Sequence, residues 1–342
     1  MSERQSISSL NLFIIFFLSY SFYIVQILTQ KLFSSFGKQS IFIICLLQLL
    51  FPLTIFIICK IINTPNKKQN SKTKFIYSII SAFYLILTLI ITITNITNIV
   101  TIYYYQQTNY LILLTIIFTP TLYTIIKNEN VFFYLASILL IIYTVFKYAY
   151  LSNPSSIDTF IFYNIFDVNK SDILLIIIYS IPIFLEPLLL INNQKTINEK
   201  ANTKLMVILA SIISIVGILT ILRQTWEFGE LLNKIRFPYL ESIKNIVAGK
   251  FFENIDFYYL LSISVSLYIR ITYTFITIKK SLPLNKLVTI GLLTITLAIV
   301  FIIHKNMNLY LFSIDKILII TSSCLIILFL LSIPDFLRRR AT

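Results

Sequence analysis

Two charged residues lie inside stretches that are otherwise apolar. Glu186 sits in Ile181-Pro182-Ile183-Phe184-Leu185-Glu186-Pro187, and Arg270 in Ser266-Leu267-Tyr268-Ile269-Arg270-Ile271. A carboxylate or a guanidinium surrounded by hydrocarbon is costly unless it is paired, protonated (for the acid) or set in a water-filled cavity. At ~1.5 Å of rise per residue, both lie at a similar depth, on the order of 6 Å to the cytoplasmic side of the middle of their stretches. The expectation is a buried pair or one shared polar cavity. The competing reading of Arg270 is a long side chain that snorkels to the inner headgroups.

Three other sets of polar residues could take part in binding. Ser180, Pro182, Glu186 and Pro187 have the composition of a helix break, because each proline removes a donor and clashes with the preceding turn. A break in mid-membrane presents free backbone groups to a substrate, although a ligand-free proline kink has the same composition. Thr92, Thr94, Asn95, Thr97, Asn98 and Thr101 form a dense polar set, with Asn95 and Asn98 on one helix face. Hydrogen bonding between helices is the expectation for that set, in preference to lining a cavity. Lys147 lies near the end of its apolar stretch and reads as a snorkelling amine; a role at an ion site is the alternative.

Other chemistry is poorly supplied. With one histidine, His304, and three cysteines inside apolar runs (Cys45, Cys59 and Cys324), neither a metal site nor a disulfide framework is visible. No cofactor motif is present, and the sparse acids form no nucleophile–base or paired acidic arrangement, so an enzyme is not expected.

The elements that must hold these residues follow from composition. Hydrophobic residues make up 57% of 342 and charged residues 12%, where a soluble domain has ~45–50% and ~25%. A bilayer accepts such a surface, and each helix needs ~20 apolar residues to cross it. Runs of that length fall at 9–30, 40–62, 75–101, 109–127, 130–151, 172–192, 204–223, 255–278, 285–303 and 316–336. The expected fold is therefore an all-α integral membrane bundle of about ten helices, forming a single domain.

The formal charge of +14 does not indicate nucleic acid, because the basic residues lie in short clusters between apolar runs. With the first residue inside, the clusters Lys67-Lys68-Lys72-Lys74, Lys195-Lys200-Lys204 and Arg338-Arg339-Arg340 all fall on the cytoplasmic side, as does Lys279-Lys280-Lys286. The outer segments hold fewer, half of them in or directly beside the loop 224–254. That bias places both termini in the cytoplasm. The first apolar run follows Arg4 but lacks a small-residue cleavage site, so it reads as an uncleaved helix. In the loop, Leu240, Ile243, Ile246 and Val247 share one helical face opposite Glu241, Lys244 and Lys250. A short amphipathic helix is expected there, lying on the outer leaflet, capping the bundle or packed as a partly buried connector.

The same loop carries a resemblance. Arg236-Phe237-Pro238-Tyr239-Leu240-Glu241 and Phe252-Glu253-Asn254-Ile255-Asp256 resemble the segments that join the seventh and eighth spans in the permease-like B subunit of spore-germination nutrient receptors. That family belongs to the amino acid–polyamine–organocation transporter superfamily. Ser8-Leu10-Asn11, Thr119-Pro120-Thr121, Asn153-Pro154 and the terminal arginines agree in order and spacing.

The resemblance implies a transporter-like inverted-repeat (5+5) bundle with broken first and sixth helices, and a ligand held between them. The ligand would be a small, amino acid-like nutrient. Its residues would be Ser19, Tyr20 and Ser21 in the first helix and Ser180, Pro182 and Glu186 in the sixth. Ser19-Tyr20-Ser21 stands where relatives usually carry glycines, which departs from the pattern, since serine permits less backbone freedom. The resemblance implies a non-enzymatic subunit of a spore or bacterial inner membrane. Its partners would be a second membrane subunit with cytoplasmic domains and an outer lipoprotein. An amino acid permease of the same fold is the alternative.

Overall fold

Hydrocarbon offers the backbone no hydrogen-bond partner, so a chain this apolar must satisfy its N–H and C=O groups within helices. The computed structural model describes residues 8–37, 39–63, 71–103, 110–126, 170–196, 201–235, 237–244, 255–282, 284–305 and 307–340, and isolated positions between 132 and 151. Among the described residues every regular element is helical and no strand occurs.

The first element, α1 (Ser9–Ser21), is capped by Ser8, whose hydroxyl oxygen accepts from the Asn11 N–H at 3.2 Å. That bond satisfies one of the donors a helix start leaves over, and it gives the Ser8-Leu10-Asn11 segment a structural role. A π-helical turn, Phe22–Leu28, joins α1 to α2 (Thr29–Phe36). There follow α3 (Gln39–Asn63), α4 (Ser71–Tyr103), α5 (Tyr110–Ile126) and α6 (Lys170–Leu185), the last prolonged by 3₁₀ turns over Glu186–Thr196. Next come α7 (Thr203–Phe228), the short α8 (Pro238–Lys244), α9 (Ile255–Ser281), α10 (Lys286–Lys305) and α11 (Met307–Arg340).

Among the described residues, six helical segments are long and apolar enough to cross a bilayer: Ser9–Phe36, Gln39–Asn63, Thr73–Thr101, Asp172–Ile191, Thr203–Phe228 and Asp315–Ser332. Leu114–Ile126 and Leu287–Ile303 are apolar but shorter. The chain is thus an all-helical, multi-pass membrane protein. The fifth expected span, 130–151, falls almost wholly outside the described residues, as does Lys147.

Burial sorts these helices into a centre and a rim. Every side chain from Ile269 to Ile278 of α9 is buried, and so is every one from Ile15 to Ile24 of the first helical segment. A helix covered on all sides belongs in the middle of its bundle. Around α9 lie α1, α4, α5 and the 3₁₀ turns, while α3 packs on α6 and α7, and α11 on α4 and α6. The rim helices keep apolar rows exposed. On α7 these are Ile208, Ile212, Ile215 and Leu219, one helical stripe by their spacing, and the surface a bilayer would cover.

Small features set the helix ends and contacts. Gly37 and Gly229 have φ of 57° and 53° and close α2 and α7 with N–H bonds to Phe33 and Thr225; side chains rarely adopt that backbone conformation. Gly217 lets α3 approach α7, since a Cβ there would lie 2.8 Å from Gln48 Nε2. Asn63, at the end of α3, donates to the Ala201 carbonyl and accepts from the Ala201 N–H, each at 2.7 Å, holding the start of α7 beside it. Lys31 and Asp315 pair at 3.0 Å between α2 and α11.

The described part of the 224–254 loop packs into the bundle as a buried connector. Leu240 and Ile243 of α8 are buried together with Phe237 and Tyr239, against α7 and α9. The Ser242 hydroxyl donates to the Glu227 carboxylate. Ile246 and Val247 lie outside the described residues.

Candidate functional site

The site begins at the two prolines of α6. Neither Pro182 nor Pro187 has an N–H for the carbonyl one turn back. The α-helix ends at Leu185, and the chain continues from Glu186 in tighter 3₁₀ turns. The change from α to 3₁₀ turns falls inside the Pro182–Pro187 segment, whose composition suits a break. It carries Glu186, wholly buried, into the interior.

Arg270 reaches Glu186 from α9. Its Nη1 donates to Glu186 Oε1 at 2.5 Å and to Ser19 Oγ at 3.0 Å. Its Nη2 donates to Thr88 Oγ1 at 2.9 Å, while the Thr88 hydroxyl spends its own proton on the Leu85 carbonyl at 3.1 Å. The guanidinium carbon stands 4.7 Å from the centroid of the Tyr23 ring, within cation–π range. Tyr84, one turn before Thr88, is buried and faces the same guanidinium. Arg270, Glu186, Ser19, Thr88 and Tyr23 are each 0% exposed, so the reading of Arg270 as a snorkelling side chain is set aside. Four segments far apart in sequence converge on one charge pair.

The pair is not fully satisfied. An arginine and a carboxylate commonly meet through two parallel hydrogen bonds; here a single nitrogen reaches a single oxygen. Glu186 Oε2, Arg270 Nε, Tyr23 Oη and Ser180 Oγ are buried without a hydrogen-bond partner. Native interiors rarely leave such groups unmet unless a water, ion or ligand occupies the place. One cation balances one anion, and the leftover acceptor and donor atoms suit a small polar group.

The expected ligand residues divide. Ser19 and Glu186 share the Arg270 guanidinium. Tyr20 lies beside them: its hydroxyl donates to the Ile183 carbonyl at 2.5 Å and its ring stacks on Phe51 at 4.1 Å. Ser180 and Pro182 are buried on α6, whereas the Ser21 hydroxyl bonds back to the Phe17 carbonyl of its own helix at 2.8 Å.

Contrary to expectation, the chain is not unwound at Ser19-Tyr20-Ser21. The three residues are helical, and the Phe22 N–H still reaches the Leu18 and Ser19 carbonyls. The irregularity begins one residue later as the π-helical turn, in which the Thr29 N–H bonds to the Ile24 carbonyl. A π turn widens a helix to i→i+5 bonds and shifts its register while the chain stays helical, which suits a segment without glycine.

The threonine hydroxyls of the polar set in α4 donate within their own helix. Thr92, Thr94, Thr97 and Thr101 donate to carbonyls four residues back in their own helix, at 2.6–2.9 Å. A threonine hydroxyl can satisfy itself this way, so these bonds do not tie helix to helix. Thr88, Tyr84 and Tyr23 were not among the expected site residues. A signal did exist: Tyr84, Thr88 and Thr92, like Ser19 and Tyr23, recur at four-residue spacing on one face. Nothing in that pattern identifies which face meets an arginine.

No group of three or more potential metal ligands occurs among the described residues, and Cys45, Cys59 and Cys324 are free thiols. In comparisons with known proteins, no family model, curated protein or solved structure matches the chain.

Proposed function

We propose that this chain is a membrane-embedded receptor subunit that binds a small nutrient of amino acid type inside a transporter-like bundle. The observation that carries the reading is the buried Glu186–Arg270 cluster at the α6 break, with polar atoms left over on both partners. A break next to a buried charge pair is a place where a ligand can trade interactions with the protein, and a ligand acts by binding one conformation better than another. On this reading the signal passes to partners, namely a second membrane subunit with cytoplasmic domains and an outer lipoprotein, as the segments around Phe237-Pro238 and Ile255-Asp256 imply.

The finer topology belongs to the same proposal: ten crossings in two inverted halves of five, with both termini in the cytoplasm. Two contacts constrain the parity of that count. Asn63 touches Ala201 and Lys31 touches Asp315, so each pair lies on one side of the bundle. An even number of crossings must separate the members of each pair. Ten spans meet both conditions, with the third to sixth between the first pair and the second to ninth between the other.

Reconstituted vesicles test the function. The full chain is presented with the common amino acids, and both binding and uptake are measured. Saturable binding without accumulation is the expected result. Accumulation inside the vesicles would make the chain a permease of the same fold, and absence of binding by every compound would overturn the nutrient reading.

A further inference from the structure

The groups around Arg270 form a set with a chemistry of its own. A carboxylate (Glu186), two hydroxyl oxygens (Ser19 and Thr88) and an aromatic face (Tyr23) enclose one planar cation, all of them fully buried. Carboxylate, hydroxyl and ring face are the groups that recognise organic cations elsewhere. The enclosure also holds more acceptor capacity than Arg270 uses, because Glu186 Oε2 remains without a partner and so does the Tyr23 hydroxyl.

From this geometry we infer that Ser19, Thr88, Glu186 and Tyr23 form a receptor for a primary ammonium or guanidinium group, and that Arg270 is its built-in occupant. This rests on the reading of the bundle as a ligand-binding one, and it names the group recognised. The charge balance dictates how a ligand enters. A buried, ionised carboxylate stripped of its partner is strongly destabilised, so Glu186 needs a cation beside it for as long as it stays ionised. A ligand's cationic head therefore replaces the guanidinium in one exchange, and Arg270 withdraws along its flexible stem. Because Arg270 spans from α9 to α1, α4 and the α6 break, its release loosens four segments at once. Recognition and conformational change are then the same event. An anionic or uncharged head does not substitute while Glu186 is ionised, since neither would neutralise it.

Chemical rescue tests the inference in the full chain, held in detergent or nanodiscs. R270A removes the occupant and leaves the enclosure. Added methylguanidinium or ethylammonium is expected to restore at least half of the unfolding midpoint that R270A loses, with acetamide and acetate inactive. In the R270A/E186Q double variant the same cations should have no effect. If R270A does not accumulate in membranes, growth with methylguanidinium is expected to restore its accumulation. The inference is overturned if R270A ignores both cations in both assays, or if the double variant responds as strongly as the single one. Failure of every amino acid to bind the wild-type chain would remove the nutrient reading, whereas this outcome is read from simple cations alone.

Discussion

The hydroxyl of Tyr20 donates to the carbonyl of Ile183 across 2.5 Å, and the residue four places after Ile183 is Pro187, which has no N–H to offer that carbonyl. The proline that helps end α6 is thereby answered by a side chain from α1. A second tyrosine does similar work one turn on, where the Tyr77 hydroxyl donates to the Leu188 carbonyl at 2.7 Å. The break is held from two neighbouring helices, which is how irregular backbone survives in an apolar environment.

Tyr20→Phe should therefore be costly although it deletes one oxygen. The Ile183 carbonyl loses its tyrosine donor, with a penalty of about 1–3 kcal/mol. The stacking of the ring on Phe51 is retained, so a Tyr20→Leu variant should lose more. Denaturation in detergent gives the comparison, and equal losses for the two variants would assign the whole effect to packing.

Glu186 and Arg270 should behave as one unit. Arg270→Ala and Glu186→Gln each break a buried pair, at a cost of about 3–5 kcal/mol. Because the two share a hydrogen bond, the double variant should recover roughly 0.5–3 kcal/mol of the summed loss. Strictly additive losses in a four-point stability cycle would mean that the pair makes no coupled contribution.

Thr88→Val and Ser19→Ala probe the rest of the enclosure. Each removes an oxygen that accepts from Arg270, and the stranded donor costs about 1–3 kcal/mol. Thr92→Val, one turn away and bonded to its own helix at 2.7 Å, should cost less than Thr88→Val. The reverse ranking in a thermal melt would contradict the placement of Thr88 against the guanidinium.

The contact at Gly217 gives a steric prediction. A Cβ at this position meets Gln48 Nε2 at 2.8 Å, and overpacking of that kind costs about 1–3 kcal/mol. The obstacle is the tip of a side chain, so Gln48→Ala added to Gly217→Ala should remove most of the penalty. Persistence of the loss in the double variant would place the strain in the backbone.

Lys31 and Asp315 offer a contrast to the buried pair. Their side chains are 23% and 47% exposed, and ion pairs of that kind contribute about 0–1 kcal/mol. Asp315→Asn should shift stability only slightly, and high salt should erase the shift. A loss as large as that of Arg270→Ala would give this surface pair an unforeseen structural weight.

What could be read from the residue order is what depends on composition and local spacing. Long apolar runs dictate helices because hydrocarbon leaves the backbone no other partner, and the composition around Pro182 and Pro187 marks the segment in which α6 is interrupted. The cost of burying charge was enough to bring Glu186 and Arg270 under suspicion as a pair. Packing in three dimensions decided the rest: that Thr88 of α4 and Ser19 of α1 complete the arginine's shell, that Tyr20 serves a carbonyl of α6, and that α1 bulges into a π turn where unwinding was expected at Ser19-Tyr20-Ser21. Those outcomes depend on which faces of separate helices meet, with partners up to 251 positions apart. A periodic sequence pattern states which residues share a face, but only close packing of the assembled helices determines what that face touches.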